Sequence, residues 1–339
     1  MKTWFTRILA AGLLGCAACT APSQELLTVN VFTFDSFLSP DAMAITSDKK
    51  LVVNDGAYGA FYTLNPTNFA FLSTNYTFDG FTDFGGQVGN DRVIVARDGY
   101  LFEIKQASDY SGSYGSVAFP SSAGASAVTR GFTNHLGELE AYTIAQASGG
   151  QQFFRMNFTT QAQTPLPSYG TFNLNAIYRG LEAYQPVAGA TRFVYSEVFN
   201  GTNQIQDYGH GNTKTYNLNF PTNLANVRIT DLAFDPDSPK LYFSFYSDSL
   251  GGIGVIENFP KQPARAITNK LSLVSGGLGE VVAIGAEPGS RVHLQSAASS
   301  AGPYTTTATN DVPLGQVGTI FRNLDLTGPR RFFRTAYAP

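Results

Sequence analysis

The sequence predicts an all-β fold: a five-bladed (alternatively six-bladed) β-propeller followed by a small β-sandwich-like C-terminal module. Three observations lead there. A strand–turn–strand–strand pattern recurs five times at an interval of about fifty residues, the size of a propeller blade or solenoid turn. The 27 Phe and 17 Tyr, set among many Thr, Ser and Asn, favour pleated strands, and 34 Gly with 17 Pro supply turns. The middle strands of the repeats are apolar on both faces, as sheets packed between two neighbours require.

The first residues read as a targeting signal. Lys2 and Arg7 form a positive segment, Ile8 to Leu14 an apolar one, and Gly15, Ala17 and Ala18 are small. The apolar run is too short for a permanent span, and no later window offers about 18 uninterrupted apolar residues. Residues 1–22 are assigned to the signal and tether, with Ser23 to Leu26 continuing the tether. Both cysteines, Cys16 and Cys19, lie here, so the folded part holds no disulfide and depends on packing.

The repeats occupy residues 27–265. Leu27 to Phe34 alternates as a strand, and the five units follow. Unit one is Asp41 to Ile45, Leu51 to Asn54 and Phe61 to Leu64. Unit two has Thr82-Asp83-Phe84, Arg92 to Ala96 and Tyr100 to Ile104. Unit three has Arg130 to Thr133, Glu140 to Ala145 and Phe153 to Phe158; unit four has Arg179 to Ala183, Arg192 to Ser196 and Gln204 to Tyr208. Unit five is Ile229 to Asn258. Second strands begin near Leu51, Val93, Ala141, Phe193 and Leu241, spacings of 42, 48, 52 and 48 by subtraction.

Each unit adds a polar fourth strand in most cases, such as Thr74 to Phe78, Gly115 to Phe119 or Lys214 to Leu218. Four strands at this period make a blade. The orphan strand Leu27 to Phe34 is expected to complete the last blade and clasp the ring; a sixth blade over Ala264 to Gly285 is the alternative. From Leu271 the rhythm changes to several short strands in the remaining residues, and 271–339 reads as a small β-sandwich.

Two resemblances follow from these residues. Leu13-Leu14-Gly15-Cys16 resembles the lipobox of bacterial lipoproteins, which implies acylation of Cys16, with Cys19 after Cys16-Ala17-Ala18 a weaker match; an ordinary signal peptide is the other reading, and either way the chain is expected to be exported to the periplasm, an outer-membrane anchor or the medium. Pro40 to Ile45, Leu51 to Asp55 and Phe61 to Pro66, with Leu232 to Asp237 and Lys240 to Ser244, resemble repeats of the NHL and SMP-30 class of β-propellers. The resemblance implies the fold, which hosts enzymes, binders and scaffolds alike.

Few residues suggest chemistry. The starts of the first strands carry Asp41, Asp83, Arg130, Arg179, Glu182 and Asp231, expected at the mouth of a central channel. They suit a polar ligand, or they pair with one another and cap strand ends. His135, His210 and His293 lack the spacing of a zinc site, no G-x-S-x-G elbow occurs, and the clusters Gly251 to Gly254 and Gly276 to Gly279 are expected as turns rather than phosphate loops. Neither a metal nor another cofactor is expected. Tyr58, Tyr110, Tyr114, Tyr169 and Tyr208, set among Gly and Ser, are expected at loop tips that could stack on a ligand.

A formal net charge of -3 without runs removes the footprint of sequence-independent nucleic-acid binding. The function expected is an exported binding or interaction module for a protein or carbohydrate ligand, touching a membrane only through an N-terminal lipid. The alternative is a propeller-type hydrolase, lyase or lactonase using carboxylates at the channel mouth.

Overall fold

The structure, a computed structural model, describes residues 25–338 apart from positions 35–39, 56–58, 77–80, 86–91, 98–100, 109–110, 119–124, 148–149, 167–168, 170–178, 200, 210–211, 225, 236, 249, 275–277, 314–315 and 327–330. Regular structure among the described residues is all β, arranged in several sheets without an α-helix. None of these elements is a helix long and apolar enough to cross a membrane.

Five antiparallel sheets follow one another along the chain. The first runs Pro40–Ile45, Leu51–Asp55, Ala60–Leu64 and Phe71–Tyr76; the second runs Phe81–Gly85, Arg92–Arg97, Leu101–Gln106 and Ser116–Ala118. The third has Ala125–Val128, continued by Phe132–Thr133, then Leu139–Ala147, Gly150–Asn157 and Ala162–Pro165. The fourth has Arg179–Val187, Ala190–Phe199, Thr202–Gly209 and Asn212–Asn219, and the fifth Arg228–Phe234, Leu241–Tyr246 and Gly251–Ile256. The second strands open within three residues of the positions expected from the repeat spacing.

The fifth sheet takes its outermost strand from the other end of the chain. Asn30–Thr33 pairs antiparallel with Gly251–Ile256, placing Asn30 opposite Val255. Just before it, Glu25–Thr28 lies parallel on the outer strand of the fourth sheet, with Leu27 opposite Leu218. The single strand expected over Leu27 to Phe34 is therefore two, broken at Val29, because two neighbouring sheets each offer an open edge. Glu25 and Leu26, expected in the tether, are strand residues for the same reason.

Five apolar clusters explain why these strands are apolar on both faces, since each is shared by two consecutive sheets. Ala42, Ala44 and Val52 of the first meet Val93 and Val95 of the second. Ile94, Phe102 and Ile104 meet Val128, Ala141 and Met156 of the third. Ile144 and Phe153 meet Leu181 and Phe193 of the fourth, the two Phe rings stacked with centroids 3.9 Å apart. Val194, Ile205 and Tyr216 meet Leu232, Phe234 and Phe243 of the fifth, with Leu27 and Val29 beside them. Met43, Val53 and Leu64 close the series against Ala233, Tyr242 and Ile253.

Adjacent residues thus serve different neighbours: Phe193 and Tyr195 face the third sheet, Val194 the fifth. The first strands repeat the cycle, each touching the next and the fifth touching the first. Every such side chain buried is worth about 1.5–3 kcal/mol, so the closed series of interfaces stands in for cross-links.

Residues 268–337 form two further three-stranded sheets. Thr268–Val274, Leu278–Ile284 and Gly318–Asp325 make one; Thr305–Asp311, Arg291–Ala297 and Phe332–Tyr337 the other. Val281, Ala283, Val292, Leu294, Val312 and Phe321 fill the space between them. Within Ala264 to Gly285, where a sixth blade was the alternative, Thr268–Val274 pairs with Leu278–Ile284, and Leu278–Ile284 pairs in turn with Gly318–Asp325. The connection ahead of them is tied to the fourth sheet, where Gln262 donates its backbone N–H to the Tyr184 hydroxyl at 2.7 Å and its side-chain amide to Tyr216 at 2.9 Å.

Candidate functional site

The first strand of each sheet has one hydrogen-bonding edge in its own ladder, and its other edge faces the first strands of the neighbouring sheets. Near the start of each strand the register slips by one residue, between Pro40 and Ala42, Phe81 and Asp83, Ala125 and Val128, Arg179 and Leu181, and Ile229 and Asp231. Along such an inner edge the backbone N–H groups that point away from the ladder need other acceptors. Two of the sequence-derived site residues supply them.

Asp231 is fully buried. One carboxylate oxygen accepts the Met43 N–H of the first sheet at 2.6 Å, and the other its own neighbour's, Leu232 N–H, at 2.7 Å. Beside it Thr230 bonds the Pro40 carbonyl at 2.5 Å and meets the Ser244 hydroxyl at 2.8 Å. Gly180 of the fourth sheet lies against this turn: a Cβ there would stand 2.8 Å from the Asp231 backbone, and its φ of +76° suits only glycine.

Glu182 is likewise buried and reaches three sheets. It accepts the N–H groups of Arg130 at 3.0 Å and Ala183 at 2.9 Å through one oxygen, and that of Phe234 at 3.2 Å through the other. Burial pushes its carboxyl above the ordinary glutamate value, against the opposing pull of the Arg130 charge and of these three N–H donors. Arg130 is itself buried, its guanidinium 5.0 Å from the centre of the Phe132 ring. Burial lowers the Arg130 pKa and the Glu182 charge partly restores it. Arg130 does not open a strand as expected; it sits in the break between Ala125–Val128 and Phe132–Thr133.

A second set of charges lies close by in the field of these two. Lys49 bridges Asp235 and Asp237 at 3.0 and 2.5 Å, joining the hairpin turns of the first and fifth sheets. Lys261 bonds the Ser238 carbonyl at 3.1 Å and lies 4.8 Å from the centre of the Phe234 ring; burial lowers its pKa, and the Arg130 charge adds to that. Asp235 and Asp237, read with Pro236 as a hairpin turn, flank the connection between the first two strands of the fifth sheet: Asp235 donates its backbone N–H to the Lys240 carbonyl at 3.1 Å, and its side chain accepts the Asp237 N–H at 3.0 Å.

The remaining candidates are placed differently. Asp41 is half-buried in the inner strand of the first sheet. Arg179 opens its strand opposite Ser196 and Asp83 is the third residue of its strand, opposite Ala96; their side chains lie outside the described residues, as does Cys16 altogether. Among the described residues no group of three His, Cys, Asp or Glu is arranged to hold a metal. His293 shares a hydrogen bond of 2.8 Å with Thr309.

The loop-tip reading of the tyrosines needs correction. Tyr169 is buried in the interface of the third and fourth sheets and donates to the Thr191 carbonyl at 2.7 Å; Tyr208 is half-buried and donates to the Tyr169 carbonyl. Tyr169 stands between Ser168 and Gly170 and Tyr208 between Asp207 and Gly209, but aromatic burial outweighs the turn signal. Tyr114 is exposed, with the Arg92 guanidinium 3.6 Å from its ring centre. Tyr58 and Tyr110 lie outside the described residues.

Sequence reading missed a buried ion pair and its tyrosine partner. In the fourth sheet Arg192 donates to Asp207 at 2.8 Å, and the Tyr184 hydroxyl donates to the other oxygen of Asp207 at 2.7 Å. Burial opposes the charge of Arg192, yet Asp207 holds the guanidinium above its ordinary value. The available signal was an arginine opening an otherwise apolar run, Arg192-Phe193-Val194-Tyr195, two strand lengths from an aspartate at Asp207.

No family profile matches the chain, and no curated protein does. Among solved structures it is similar to a luciferin-regenerating enzyme at 12% identity over 69% of this chain and 97% of that one, TM-score 0.39. It is similar to the hydrazine synthase of Kuenenia stuttgartiensis at 12% identity, 70% and 80% coverage and TM-score 0.35. A chain of a mitotic checkpoint complex is similar at 12% identity, 75% and 99% coverage and TM-score 0.41. At such scores these likenesses do not bear on what this chain binds or catalyses.

Proposed function

We propose that the chain is an exported, non-catalytic binding or interaction protein. Its body, residues 27–265, is a five-bladed β-propeller clasped by its N-terminal strands, and 271–339 is an appended β-sandwich. Acylation of Cys16 holds it at a membrane, and the ligand is a protein or carbohydrate met at the channel mouth, near which Asp41, Asp83 and Arg179 stand in the opening residues of their strands.

The observation that carries the non-catalytic reading is the state of the two buried carboxylates. Glu182 and Asp231 spend both oxygens on backbone N–H groups of three and two residues respectively. A carboxylate so engaged is a poor base or metal ligand, because freeing it would orphan buried amide donors at about 1–3 kcal/mol each. The closed series of five shared apolar clusters supports the propeller.

Panels of glycans, lactones and esters test the proposal. The purified chain should bind members of the panel or a protein partner without turnover. Turnover that Asp231→Asn abolishes while the melting temperature is unchanged overturns the reading in favour of a hydrolase or lactonase.

A further inference from the structure

The rim is uneven. In the outer strands of the second and third sheets, Ser116–Ala118 and Ala162–Pro165, no large apolar side chain is exposed. The outer strands of the fourth, fifth and first sheets differ: they expose Leu26 (62%), Phe32, Phe71, Leu72 and Tyr76 (74%). Phe34 and Tyr62 extend this surface, their ring centres 5.5 and 5.3 Å from that of Phe71, and Phe32 lies 4.1 Å from Phe69. A shallow cleft of about 370 Å³ runs between Phe32, Phe69 and Pro66. The charges beside it are paired, Lys214 with Glu25 at 2.8 Å and Lys240 with Glu257 at 2.7 Å, so the arc is apolar and close to neutral. Soluble surfaces seldom leave a contiguous patch of this kind uncovered.

What covers it is indicated by where the chain enters. Glu25, the first strand residue, lies on this same arc, and Cys16 stands nine residues before it. A chain spans at most about 3.3–3.6 Å per residue, so an acylated Cys16 confines the rim at Glu25 to within about 30 Å of the bilayer surface. The channel mouths and the far arc are under no such constraint. We propose that the outer strands of the fourth, fifth and first sheets rest on a lipid bilayer, with Phe32, Phe71, Leu72 and Tyr76 at the interface; this rests on the reading of Cys16 as acylated. Aromatic side chains with a polar tip suit that depth, and one lipid signal becomes a stable anchorage when a second contact joins it. The contact is driven by apolar area rather than by attraction to anionic lipid, since the flanking charges are already paired.

The experiment uses the processed full chain in phosphatidylcholine vesicles whose acyl chains carry bromine. Trp4, the sole tryptophan, precedes Cys16, so processing leaves a chain in which each introduced tryptophan is the only one. Leu72→Trp and Tyr76→Trp should emit to the blue and be quenched about twofold, as a side chain about 5–10 Å below the headgroups is, at low and high salt alike. Leu136→Trp on the third sheet and Leu273→Trp in the C-terminal sheet, both at exposed sites, should be unaffected. The mass of the N-terminal peptide reports acylation separately. An unmodified Cys16 removes the anchor and the rim contact with it. An acylated Cys16 with tryptophans 72 and 76 unquenched overturns the rim contact alone, as does quenching at 273 in their place or a blue emission at 72 that bromine leaves untouched, the mark of a protein partner.

Discussion

At Glu182 one side chain joins three sheets, and its charge state sets a pH dependence. Its folded pKa is raised by burial, so the folded chain holds a proton that the unfolded chain releases above about pH 4.3. Stability from this group is therefore complete below the ordinary glutamate value and lost as pH rises through the raised one. Urea midpoints of the native chain and of Glu182→Gln, measured from pH 4 to 8, should differ most at the acid end. A difference that widens toward pH 8 shows instead that Glu182 is ionised in the fold. The substitution places an amide NH₂ against a backbone donor and should cost about 1–3 kcal/mol at acid pH. From the sequence Glu182 and Asp231 were legible as polar groups at inner strands, but not as acceptors for Arg130, Phe234 and Met43, because those amides come from strands 50 to 190 residues away.

Within single elements, the fifth sheet shows how local residue choice and packing are linked. Phe243 stands opposite Gly254, and Phe245 opposite Gly252, on adjacent strands. A Cβ on Gly254 would fall 1.9 Å from the Phe243 ring, and one on Gly252 would fall 2.6 Å from that of Phe245. The rings lie over the glycines, an arrangement in which an aromatic side chain covers the backbone that glycine leaves bare. Gly254→Ala should push Phe243 out of its cluster with Phe220 and Phe234 and destabilise the chain by about 1–3 kcal/mol, read from denaturant melts. An unchanged melt would show the ring free to move. The alternation Leu241, Phe243, Phe245 and the run of glycines were each legible in the sequence; that they face each other needed the register.

Across the whole molecule, nine residues at the N-terminal end hold the outer edges of two sheets. Glu25–Thr28 covers the fourth and Asn30–Thr33 the fifth, and Leu27 and Val29 enter their shared apolar cluster. Deleting 25–33 exposes two strand edges and opens that cluster. We expect a lower melting temperature and concentration-dependent aggregation by light scattering, as open edges produce. A variant that melts as the native chain does would show the clasp to be an attachment rather than a closure.

Composition and repeat spacing were enough to determine an all-β chain and the places of its second strands, because strand patterning is local and each repeat carries it. The exchange of the N-terminal strands between two sheets, the burial of Tyr169 and Tyr208, and the amides held by Glu182 and Asp231 were decided only in three dimensions. Each depends on which distant strand arrives alongside, and a sequence window that sees turn residues on either side of a tyrosine carries no record of the neighbouring sheet that buries it.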